Sequence, residues 1–145
     1  MKHKYIKAYM DVAKRFSKLS SAQRLQVGAI AVKDDRIISI GYNGMPSGWD
    51  NCCEDEVIEN GWPGLKTKPE VLHAEMNCLM KLAKSTESGE GAVMFITHTP
   101  CIDCAKGIYQ AGIKEVYYDR EYRDSAGVDF LEKSGIPALS ITTLK

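Results

Sequence analysis

A chain of 145 residues, 44% hydrophobic and 26% charged, is sized and composed for one domain, residues 1–145, with a core of its own. Its 19 basic and 19 acidic side chains cancel, which excludes the bulk positive field that holds a polymeric nucleic-acid backbone. No apolar run is long enough to cross a bilayer, and the start MKHKYIKAYMDVAKRF lacks the apolar segment of a secretory signal. The expected setting is therefore the reducing cytoplasm, with no membrane partner.

Ile6, Met10, Ala13 and Phe16 recur at helical spacing and predict an amphipathic helix ending near Ser20. LQVGAIAVK and RIISIGY follow as two apolar runs joined by Asp34-Asp35, the pattern of a β-hairpin. Residues 41–70 read as a long irregular stretch rich in Gly, Pro and Asn, a length more often functional than accidental. VLHAEMNCLMKLAK restores helical periodicity through Leu72, Met76, Leu79 and Leu82. AVMFIT predicts a buried strand, TPCIDCAKGIYQAG a helix stopping at Gly112, KEVYYD a strand, GVDFLEKSG a short helix and ALSITTL a last strand. That alternation predicts an α/β fold in which the later strands run parallel and helices cover the faces of the sheet.

The stretch TPCIDC holds Cys101 and Cys104, which could form a disulfide, a redox pair or half of a metal site. A reducing compartment and an odd total of five cysteines argue against a disulfide framework. A metal needs further ligands, and the histidines are His3, His73 and His98. His73 opens one helix and the cysteines open the next, with one strand between, so right-handed crossovers bring the two helix starts together. One imidazole and two thiolates leave a fourth tetrahedral position for water, as in a catalytic zinc site. Glu75, two residues after His73, is placed to move that water's proton. H-x-E followed by P-C-x-x-C is the signature of zinc nucleobase deaminases, matched here by HAE (His73 to Glu75) and PCIDC (Pro100 to Cys104).

On these motifs the chain resembles the zinc-dependent cytidine/deoxycytidylate deaminase superfamily. GYNGMPSG (Gly41 to Gly48) and QAGIKEV (Gln110 to Val116) narrow the likeness to deoxycytidylate (dCMP) deaminases. The resemblance implies a three-layer α/β/α fold on a five-stranded mixed sheet. It also implies one catalytic Zn²⁺ on His73, Cys101 and Cys104, with Glu75 as proton shuttle, and hydrolysis of dCMP to dUMP and ammonia for thymidylate synthesis. Substrate contacts are expected from Asn43 to the deoxyribose, and from Ala74, Thr99, Pro100 and Tyr122 around the base. Arg24 and Gln26 are candidates for the phosphate, with Arg123 a weaker one. In such relatives Gly41, Tyr42, Asn43, Gly44, Met45, Pro46 and Gly48 form an allosteric site where dCTP, carried with Mg²⁺, activates and dTTP inhibits, commonly in a hexamer. A second, structural zinc on Cys52 and Cys53 with His98 is not expected, because adjacent cysteines do not easily share one tetrahedral ion. Cys78 is expected in the core.

Three rivals stand beside this reading. A tRNA adenosine deaminase shares the zinc core, but zero net charge disfavours it. A non-catalytic zinc module would supply four protein ligands and needs no Glu75. A thioredoxin-like redox protein leaves HAE without a purpose.

Overall fold

The computed structural model describes residues 1–144. Helix α1 (His3–Ser17) leads into the hairpin β1 (Gly28–Lys33) and β2 (Arg36–Tyr42), followed by a second hairpin, β3 (Glu54–Glu59) and β4 (Trp62–Thr67). Then come α2 (Ala74–Ala83), β5 (Val93–His98), α3 (Ile102–Gln110), β6 (Glu115–Arg120), α4 (Ala126–Lys133), β7 (Ala138–Ser140) and a 3₁₀ turn at Ile141–Thr143.

Five strands form one sheet in the order β2-β1-β5-β6-β7. β1 runs antiparallel to β2 and β5, while β5, β6 and β7 are parallel, so the sheet is mixed. The β1–β2 turn uses Asp34 and Asp35 at φ 52° and 60°, the paired left-handed geometry that matches strand twist.

Alternation along the strands divides the core. Ile30, Val32, Val93, Phe95 and Tyr117 face α1, which meets them with Ile6, Met10 and Ala13. Ala29, Ala31, Met94, Ile96 and Val116 face the opposite way, against Cys78, Leu79, Leu82, Ala105, Ile108 and Leu131 of α2, α3 and α4. With both faces covered, β1 and β5 are buried almost throughout, which is why they read as unbroken apolar runs. The three-layer α/β/α architecture is the one expected.

Five expectations are corrected at the level of elements. The first helix stops at Ser17, and Phe16 is only half-buried. The strand in LQVGAIAVK begins at Gly28, leaving residues 25–27 irregular because Asn43 ties their backbone: its Oδ1 accepts from Val27 N (2.8 Å) and its Nδ2 donates to Leu25 O (2.8 Å). Helix α2 starts only at Ala74, since Leu72 instead pairs with Gly44 in an antiparallel bridge. Of ALSITTL only Ala138–Ser140 is strand. The stretch expected to be irregular contains the β3–β4 hairpin, whose turn residues Asn60 and Gly61 have φ 53° and 79°.

Candidate active site

β2, β5 and β6 all end on the same side of the sheet, and the site lies there. His73 is the residue before α2 and Cys101 the residue before α3; each holds extended backbone (φ −70°, ψ 154° and φ −71°, ψ 168°). Ligands at these cap positions point into the field of unpaired helix N–H groups, which favours thiolate. Cys104 lies one turn into α3, and its N–H donates to Cys101 Sγ at 3.4 Å.

The three side chains converge. His73 Nδ1 is 3.6 Å from Cys101 Sγ and 3.3 Å from Cys104 Sγ, and all three ligand atoms lie within 4.8 Å of one another. A tetrahedral zinc with ordinary Zn–S and Zn–N bonds spaces its ligands roughly 3.5–3.8 Å apart. The donor set and its spacing therefore fit such an ion. Cys101 is pulled down to about 4 by the Cys104 thiol that donates to it and by His73. That same donation, and after it burial, push Cys104 up, and the bond to Cys101 raises His73. A bound cation would displace the protons these groups share.

Glu75, in the first turn of α2, is 4% exposed. Burial, the largest cause, pushes its carboxyl up to about 7. It opens, with His73 and Cys101, into a cleft of about 460 Å³. That value and that position suit a group that both accepts and gives protons near neutrality.

Most of the other expected residues line the same cleft: Arg24, Asn43, Ala74, Thr99, Pro100, Tyr122 and Arg123. Their geometry refines what each does. Asn43 spends both ends of its amide on residues 25–27 and so builds the cleft wall. Thr99 accepts a hydrogen bond from Tyr122 N (2.9 Å) and donates to Tyr122 O (3.3 Å), which fixes the loop after β6. The Arg123 guanidinium lies 5.1 Å from the Tyr122 ring centre, a cation–π distance. Gln26 is not brought into the cleft; its amide donates to Ser20 O at 2.9 Å.

Within the glycine-rich loop, Gly41 belongs to β2, and its backbone touches the first turn of α2. Asn43 N donates to Val27 O and Gly44 N to Leu72 O, so both N–H groups are already engaged. Gly48 has φ +88° with open space around it.

Sequence reasoning missed Glu54, Lys66 and Thr67, which the β3–β4 hairpin carries to the cleft. The signal was present: Asn60-Gly61 between EDEVIE and WPGLKT is a two-residue hairpin turn. His98 also lines the cleft. Its Nδ1 is 2.8 Å from Thr97 Oγ1, which itself accepts from Gly28 N (3.1 Å).

Comparison with known proteins agrees with this geometry. Residues 3–120 match the family model for the cytidine and deoxycytidylate deaminase zinc-binding region. ComE operon protein 2 of Bacillus subtilis is 37% identical over 118 residues, covering 81% of this chain but only 60% of that protein. The deoxycytidylate deaminase of Enterobacteria phage T4 is 32% identical over 169 residues, covering 91% of this chain and 87% of that enzyme. The crystal structure of a dCMP deaminase from cyanophage S-TIM5, in complex with dCMP and dUMP, superposes with a TM-score of 0.87 at 48% identity, over 97% of this chain and 98% of that one. A His–Cys–Cys cluster beside a buried glutamate, on this sheet and over this span of matched sequence, places the chain in the cytidine and deoxycytidylate deaminase family, enzymes acting on C–N bonds.

Proposed function

We propose that the protein hydrolyses dCMP to dUMP and ammonia, with Zn²⁺ held by His73, Cys101 and Cys104. The observation that carries this reading is one cleft holding the His–Cys–Cys cluster, a buried carboxyl tuned near 7, and the cations Arg24, Lys66 and Arg123. Its 48% identity to an enzyme solved with dCMP and dUMP supports the same substrate.

Zinc, when bound, supplies Lewis acidity at the reacting centre. The chain's own groups do the rest. Glu75 takes one proton from the water that attacks C4 of the cytosine and gives it to the pyrimidine N3. It then takes the remaining proton from the oxygen now on C4 and gives it to the departing amine as the C4–N bond breaks, so that water and dCMP become dUMP and ammonia. The backbone at Ala74 and the Tyr122 ring orient the base, with Thr99 fixing Tyr122 and Pro100 shaping the floor. Asn43 supports the wall beside the sugar. Arg24, Lys66 and Arg123 supply positive charge for the phosphate, Arg24 in a geometry able to form paired bonds to its oxygens.

We also propose regulation at Gly41–Gly48, with dCTP–Mg²⁺ activating and dTTP inhibiting in a homo-oligomer, a hexamer, working in the cytoplasm. Open space at Gly44 and Gly48 supports a nucleotide there. Since the N–H groups of Asn43 and Gly44 are engaged, N–H contacts to the triphosphate fall to the residues from Met45 to Gly48 other than Pro46, which has no N–H and can offer only its ring. No helix among the described residues is long and apolar enough to cross a membrane.

The test is loss of cytosine absorbance with dCMP, deoxycytidine and CMP in parallel, each with and without dCTP–Mg²⁺. Rapid loss with dCMP, sharpened by dCTP, is the expected result. No loss from zinc-loaded protein would overturn the assignment.

A further inference from the structure

Glu54 is a carboxylate in an unusual place, 6% exposed at the start of β3 and lining a cleft that is read as taking an anionic nucleotide. One of its oxygens explains its anchorage. Oε2 accepts from the backbone N–H of Gln23 (2.8 Å) and of Arg24 (3.1 Å). The other oxygen is uncommitted: Oε1 makes no hydrogen bond to the described residues. Yet among those residues no fully buried side-chain oxygen lacks a partner, so Oε1 opens toward the cleft.

Glu54 is thus an acceptor fixed in direction. The backbone bonds hold the carboxylate plane, and the surrounding wall is braced by Arg24 Nη1 donating to Thr67 Oγ1 across 3.2 Å. An uncommitted carboxylate oxygen held in a fixed direction and open to the cleft is free to accept from a donor on the bound ligand. A deoxynucleoside monophosphate carries only two kinds of donor. Its exocyclic amine must sit at the reacting centre, with Glu75 and the metal ligands. Its phosphate has only acceptor oxygens and is repelled by a carboxylate. The sugar 3′-hydroxyl remains.

We infer that Glu54 Oε1 accepts a hydrogen bond from the substrate's 3′-hydroxyl, making Glu54 a specificity-determining residue. This rests on the nucleotide reading of the cleft. The bond is remote from the bond-breaking step and is made equally in ground and transition states, so it is expected in KM and not in kcat. A hydrogen bond to a charged acceptor discriminates against a substrate lacking the donor by about 10–100-fold.

The experiment compares dCMP with 2′,3′-dideoxycytidine 5′-monophosphate in the zinc-loaded wild type, Glu54→Gln and Glu54→Leu. The wild type is expected to favour dCMP by that factor, through KM. Glu54→Gln can keep the backbone anchorage through its amide oxygen and is expected to shrink the preference to a few-fold; Glu54→Leu is expected to abolish it. The same ratio read from equilibrium binding of dUMP and 2′,3′-dideoxyuridine 5′-monophosphate is independent of turnover, so failure of the dCMP reading and failure of this one are separable. A wild type that binds and turns over both analogues equally overturns the inference. So does a variant with a lowered melting temperature and the wild-type preference, because a purely structural Glu54 would show that pattern.

Discussion

The Gly41 backbone lies against the Ala74 carbonyl, so close that a Cβ on residue 41 would overlap it and the Cys78 N–H one turn further along α2. Ala74 stands between His73 and Glu75, so the fit of β2 against α2 sets the positions of the proposed metal ligand and the proposed proton shuttle together. Gly41→Ala is expected to cost about 1–3 kcal/mol, as overpacking does, and to lower zinc occupancy and turnover in step. Melting temperature and metal content on one preparation check this; normal occupancy in a destabilised variant would show that α2 keeps its place without the close contact.

Glu75→Gln keeps the shape of the buried side chain but cannot carry the proton. Turnover is expected to fall about 10²–10⁴-fold while zinc content, measured by elemental analysis, stays at one per chain. A variant within a few-fold of wild type would remove Glu75 from the chemistry.

Cys101, a proposed zinc ligand, is also the cap of α3, accepting from Cys104 N–H. Cys101→Ala is expected to abolish stoichiometric zinc and to lower stability, since binding energy for the ion is also folding energy. Chelation of the wild type is expected to lower its melting temperature and to leave the variant's unchanged. A variant that still responds to chelation would place its metal elsewhere.

Gly61 holds φ +79° at the tip of the β3–β4 hairpin. Gly61→Val forces a β-branched residue into that region at about 1–3 kcal/mol, strain that falls on the hairpin carrying Glu54, Lys66 and Thr67. KM for dCMP is expected to rise severalfold with kcat nearly unchanged. Equal loss in kcat would mean that the hairpin reaches the reacting atoms.

Burial, and secondarily Arg120, lowers the titration point of His98, while Asp119 opposes the shift. The unfolded chain therefore binds a proton near pH 6.5 that the folded one resists. Stability complete above that value is lost as pH falls through it toward the lower folded-state value. The melting-temperature gap between wild type and His98→Gln is expected to narrow from about pH 8 to about pH 5.5. A gap that stays constant would show that His98 protonates freely in the fold.

The sequence by itself determined the family and brought out the candidate site. HAE and PCIDC are short local motifs at or near the starts of two helices, so the grouping of His73, Cys101 and Cys104 was legible without a fold, although the start of α2 itself is set by the distant Leu72–Gly44 bridge. The apolar runs of β1 and β5 were legible for a similar reason: strands covered on both faces have no polar alternation to hide them. The tertiary structure alone decided the wall of the cleft. Glu54 meets Arg24 across 30 residues of chain, Asn43 spends its amide on a segment 16 and 18 positions away, and Gly41 packs its backbone against the first turn of α2. Those pairings arise from where the sheet brings strand ends together, and local propensity carries no record of a partner so distant in the chain.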